Sequence, residues 1–216
     1  MADVDQLFGE IRRSIKGCPE PTMQDALVRA ARAFCKDTWL LRRAMSLTCD
    51  PLQEDPRTYP LAPPPNEEVL AIKHGQIGEP APGAAVRPLR FVYPTLMNPN
   101  LGPRQPFGLA FVPYRAVTLY PAPDQAYPVT LELVTQPMVD TAQLPDELAA
   151  EWDRALGYGA LMWLYGMSGT QWYSPEGVMA CKALFDQEVV QGRIRAAMDF
   201  TPNQQQWIQR GFAWRR

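Results

Sequence analysis

Residues 144–185, LPDELAAEWDRALGYGALMWLYGMSGTQWYSPEGVMACKALF, leave the chain little freedom of local structure. Pro145 suits a first helical position, and Asp146 and Glu147 follow where unpaired N–H groups and the positive dipole end favour carboxylates. Leu148, Trp152, Ala155, Gly159 and Met162 then recur at spacings of four and three, one face of a helix. Gly166 and Gly169 bracket its stop. Ser174-Pro175-Glu176 forms a second start, a capping serine followed by proline and an acid. Val178, Cys181, Phe185 and Val189 make the second apolar face. These signals predict an antiparallel helical hairpin with Trp172 packed at its corner.

Gly157 and Gly159 lie inside the first helix, where each glycine costs about 1 kcal/mol against alanine. A bare helix surface lets another helix approach closely. The partner is either a helix of the same chain or one of a neighbouring subunit. Trp152, Gly157, Gly159, Met162 and Trp172 are therefore the candidate subunit-packing residues.

Proline sets the character of the middle of the chain. Of 23 prolines, 19 fall between Pro51 and Pro145. Central strands cannot donate a ladder hydrogen bond through proline, so short strands between proline-marked turns are expected there. Glu68–Ile77, 116–120 and 129–135 read as strands, the last two joined by Pro121-Ala122-Pro123-Asp124. Alternation from Trp39 to Leu47 predicts another strand, 59–61 a short edge piece, and 89–93 a further strand in an otherwise loop-like 78–106. Residues 3–16 and 22–37 read as helices, with Leu7, Ile11 and Ile15 on one face of the first. Thr22 is the expected cap of the second.

Helical ends around a β middle predict an α+β protein. The terminal helices pack as a bundle, with an inserted proline-rich, mostly antiparallel β region and an extended C-terminal arm. The expected divisions are 1–37 (helical pair), 38–137 (β domain), 138–198 (helical hairpin) and 199–216 (arm). The arm, TPNQQQWIQRGFAWRR from Thr201, is free of acids and spaces aromatics among arginines. It either docks on a partner or folds back on its own domain. Arg29, Arg32 and Lys36 share one side of the second helix, as a solvated face or as one turned toward nucleic acid or an acidic partner.

The net charge of −2 gives no general attraction to nucleic acid or to an anionic membrane. No apolar run is long enough to span a bilayer, and the acidic start does not resemble a secretory signal, so a soluble protein made in a reducing compartment is expected. Cys18, Cys35, Cys49 and Cys181 are scattered and are expected as reduced thiols. His74 is the single histidine, so a multi-histidine metal site is excluded. There is no GxxxxGK[ST] loop, no GxGxxG and no GxSxG elbow. Neither catalysis nor a cofactor is expected. An enzyme or ligand-binding module built on His74 is kept as an alternative.

Several blocks stand in a fixed order: Arg29-Ala30-Ala31-Arg32-Ala33-Phe34-Cys35, Glu67-Glu68-Val69, Val117 to Asp124, Thr130–Val134 with Pro137, Leu144-Pro145-Asp146, Gly159-Ala160-Leu161 and Trp172. Over roughly residues 20–190 this order resembles the head-to-tail adaptor, or connector, proteins of short-tailed bacteriophages. The resemblance implies a structural virion protein in the neck of the particle. It would form a ring, commonly of twelve copies, beneath the portal protein, passing double-stranded DNA without sequence-specific contact. The hairpin and the 22–37 helix would form the ring wall, and the β part would face the tail nozzle or tube protein. Residues 200–216 would dock on the portal through Trp207, Ile208, Arg210, Phe212, Trp214, Arg215 and Arg216. A nozzle ring further from the portal is the alternative within the same class.

Overall fold

The structure, a computed structural model, describes residues 2–3, 7–52, 54–78, 85–93, 95, 98 and 101–198. It is α+β, with two hydrophobic cores. The helical core draws on both ends of the chain: α1 (Phe8–Ser14) and α2 (Glu20–Thr38) precede the strands, and α3 (Asp146–Glu151), α4 (Asp153–Tyr165) and α5 (Pro175–Ala197) follow them. α2 buries Met23, Leu27, Ala30, Ala31 and Phe34 on one stripe. Phe34 stacks on Trp152 and meets Phe185 edge-on, at centroid distances of 5.0 and 6.2 Å, so α2, the α3–α4 junction and α5 share one aromatic centre.

The sequence misplaced some boundaries. α2 begins at Glu20, with Pro19 at the cap and Pro21 in the first turn, so Thr22 lies within the helix and does not cap it. Trp39 adopts a left-handed conformation (φ 55°) that ends α2 and is not a strand residue. Ala2–Asp3 is a short strand (β1) paired with Gln143–Leu144, whereas a helix was expected from residue 3. The helix expected from Pro145 is two pieces. Trp152 (φ −125°, ψ 25°) breaks it, although Leu148 and Leu156 still bridge the break through backbone bonds to and from Trp152.

Two four-stranded sheets enclose the second core. In the first, β2 (Arg42–Thr48), β9 (Pro128–Pro137), β4 (Glu67–Ile77) and β5 (Arg87–Pro88) lie in that order, all antiparallel. In the second, β3 (Thr58–Pro60), β8 (Ala116–Tyr120), β7 (Gly108–Val112) and β6 (Arg90–Phe91) follow, antiparallel except for β6 with β7. β10 is Gln143–Leu144, the partner of β1. Val129, Leu131 and Leu133 point inward from β9 against Leu109, Val117 and Leu119, alternating as a half-buried strand must. The chain changes sheets at one corner: Leu89 N–H donates to Gly75 in the first sheet and Arg90 N–H to Phe107 beside the second.

β9 joins the two cores. It is paired with β2 on one side and β4 on the other over most of its length, and its last five residues are buried where α2 crosses it.

Candidate interaction surfaces

Gly159 is the reason α2, α4 and α5 lie so close. A Cβ there would sit 2.7 Å from Ala30 Cβ and 3.0 Å from the Phe185 ring. The close approach is thus made within the chain. Gly192 on α5 does the same against Thr38 and Phe34, at 2.7 and 2.9 Å, and was not singled out from the sequence. Gly157 is buried, Met162 partly so. Trp152 and Trp172 pack against the helical core with indole N–H groups that are buried and find no acceptor. Ser174 caps α5 as expected, its Oγ accepting from Gly177 N–H at 3.1 Å.

α5 is apolar on two opposite sides. Cys181, Phe185, Val189, Gly192 and Ala196 face the core. Met179, Val190 and Ile194 fall on the other side, with Met198 at the C-terminal cap, and all four are exposed, by 75% at Met179 and 50% at Val190. A helix with a second apolar stripe has somewhere else to bury it. On a neighbouring helix Trp163 is 42% exposed beneath the guanidinium of Arg29, 5.6 Å from its ring centre. Arg29 also pairs with Asp25 at 3.0 Å.

Arg32 is not on an open basic face. It is half-buried, bonded to Glu68 at 2.7 Å and donating to the Pro137 carbonyl at 2.6 Å. Of the three expected basic residues, Arg29 and Lys36 are exposed, while Arg32 ties α2 to the first sheet.

The same seam holds a denser cluster. Arg43 donates to Glu67 at 2.7 Å and to both oxygens of Glu147 at 2.8 and 2.9 Å. The Glu67 side chain is only 2% exposed and also accepts from Thr135 Oγ1 at 2.5 Å. These contacts raise the Arg43 pKa and hold the Glu147 carboxyl below its ordinary value, chiefly through the hydrogen bonds from Arg43. Arg42 bonds the Ala196 carbonyl at the end of α5, so the sheet is clamped to α2, α3 and α5 together.

Beside this clamp lies a cleft of about 500 Å³, lined among others by Lys73, His74, Glu132, Glu147, Glu151 and Trp152. His74 is exposed on β4, opposite Glu132 in register. Lys73 and Arg42 flank Glu132 at 3.4 and 3.6 Å, so the cleft's charges are largely matched to one another. No serine, threonine or cysteine among the described residues lines it. Among the described residues no cluster of three or more histidine, cysteine, aspartate or glutamate side chains could hold a metal ion.

All four cysteines are free thiols. Burial pushes the Cys49 thiol up to about 11 and the Cys35 thiol higher still, which keeps both unreactive near neutral pH. No helix among the described residues is long and apolar enough to cross a membrane. The expected docking residues Trp207, Ile208, Arg210, Phe212, Trp214, Arg215 and Arg216 lie outside the described residues.

No known family model and no curated protein matches this chain.

Proposed function

We propose that the chain is a head-to-tail adaptor: copies of it form a ring beneath a phage portal, join capsid to tail and enclose part of the DNA channel. The observation that carries this reading is the second apolar face of α5, with Met179, Val190 and Ile194 exposed on a long helix of the wall-forming bundle and Met198 exposed at its C-terminal cap. Such a stripe suits packing against the next copy, and the block order from residue 29 to Trp172 supports the family. The near-neutral charge suits a conduit, since phosphate contacts dominate affinity for nucleic acid and a strongly basic wall would hold DNA back. The portal, the nozzle or tube protein and neighbouring copies are the partners this role requires.

The test is a charge placed on that stripe. Val190→Glu combined with Ile194→Glu should leave a folded monomer, since both side chains are on the solvent side of α5, and should abolish ring assembly. Rings formed as readily by the double variant would refute the wall assignment.

The cleft beside His74 favours a second reading, a ligand-binding module. His74→Ala would then remove binding of a small molecule without touching assembly, whereas the adaptor reading has the variant assemble and attach normally.

A further inference from the structure

Between Ala85 and Arg115 the chain carries four arginines and no lysine, aspartate or glutamate. All four, Arg87, Arg90, Arg104 and Arg115, are exposed. Among the described residues no ion pair engages Arg90, Arg104 or Arg115. The net charge of −2 conceals this segregation, because without these four arginines the chain would stand at −6.

Three features gather at the corner where the chain changes sheets. Arg87 on β5 and Arg104 both line a pocket of about 350 Å³, together with Ile77, Gln105 and Phe107, and among the described residues no carboxylate lines it. Arg104 is held by its backbone N–H to Ala122 O at 2.9 Å and lies over the Phe107 ring, 5.4 Å from its centre. Gln105 accepts from Arg87 Nη1 at 3.5 Å through its carbonyl oxygen, which leaves Nε2 as the donor; that nitrogen is buried and has no acceptor. A buried donor without a partner is costly, and an acceptor brought by a ligand would satisfy it. Pro88 and Pro106 border the pocket and stiffen its backbone.

We propose that this corner binds the phosphodiester backbone of nucleic acid. Two guanidiniums on one pocket, with the Gln105 amide among its lining groups, match phosphate oxygens, which arginine grips in bidentate fashion. Arg90 extends the site: it follows Leu89 at the corner and pairs in register with Gly108, beside Phe107. Phe91 and Phe107, 56% and 44% exposed, flank the arginines and offer apolar faces to sugars or bases. A lone phosphate would leave most of the pocket empty, whereas a phosphate carried on a chain reaches Arg90 as well. This assignment stands independently of the adaptor role, and its test does not depend on ring formation.

The test is fluorescence anisotropy of a labelled short DNA duplex titrated with the full chain at low salt. Binding is expected, weakening steeply as salt rises. Arg87→Gln with Arg104→Gln should weaken it by about tenfold or more and lower the salt slope by roughly 0.9 per lost phosphate contact. Arg90→Gln should weaken it less. Arg115→Gln, which removes an equal charge at the far end of β7–β8, should leave it within about twofold. Unaltered circular dichroism keeps the comparison valid, and Arg90→Gln, on an exposed side chain, tests the site if the double variant misfolds. Absence of binding by the native chain, or equal losses in the Arg115 and pocket variants, would overturn the proposal. So would polyglutamate competing as well as unlabelled duplex, which would point to an acidic protein, or inorganic phosphate displacing the duplex at comparable concentration.

Discussion

Arg43 answers two carboxylates that arrive from opposite halves of the chain, Glu67 at the start of β4 and Glu147 in α3. Removing it would leave Glu67 buried and charged, with Thr135 as its remaining donor. Arg43→Ala should therefore destabilise the fold by about 3–5 kcal/mol, measured by urea denaturation. Arg43→Ala with Glu67→Gln should recover part of that loss, because no buried charge is then left unpaired. At Gly159 a methyl group would meet Ala30 Cβ, which cannot rotate away, so Gly159→Ala should cost about 1–3 kcal/mol despite its better helix propensity. A stabilised Gly159→Ala variant would contradict the packing described here. The reason for Gly159 was half legible: the sequence said that something approaches closely, and only the fold identifies Ala30 and Phe185.

Among the elements, those with strong local signals were readable. Strand 116–120, the serine-capped start of α5 and its buried face all stand where their residues place them. The failures share a cause, which is tertiary context overriding local pattern. β7 was missed, since Gly108–Val112 is a short apolar run between prolines and becomes a strand only through pairing with β8. β8 and β9 follow one another through a proline turn yet belong to different sheets, a choice the turn residues do not encode. The break at Trp152 had no glycine or proline to announce it; the indole packs on Phe34 instead of continuing the helix. α3 also carries a pH dependence. Arg43 depresses the Glu147 pKa below its ordinary 4.5, so the pair's contribution to stability is present above that value and is lost as pH falls through the depressed one. The native chain should exceed Glu147→Gln in stability at pH 6, and the gap should close as the pH is lowered below about 4.5. A gap that persists unchanged at pH 3 would mean that Glu147 acts through packing.

For the molecule as a whole, the α+β class and the joining of both chain ends in one helical bundle were legible, because helix signals cluster at the ends and prolines in the middle. The clamp between bundle and sheet was not: Arg32 in α2, Arg42 and Arg43 in β2, and Glu67 and Glu68 in β4 come from three separate elements, and no sequence spacing brings those elements together. The proposed division of labour gives the bundle to subunit packing and residues 200–216 to the portal. Deleting 200–216 should leave the thermal melt of residues 1–199 unchanged and abolish portal attachment, scored by co-sedimentation with the portal ring. Retained attachment would move the docking surface elsewhere. The most direct measurement is single-molecule mass determination of the purified chain, alone and mixed with its cognate portal ring. The adaptor account predicts a mass gain on the portal of many copies of the 24.3 kDa chain, in a number set by the portal's symmetry. A chain that leaves the portal's mass unchanged would contradict it.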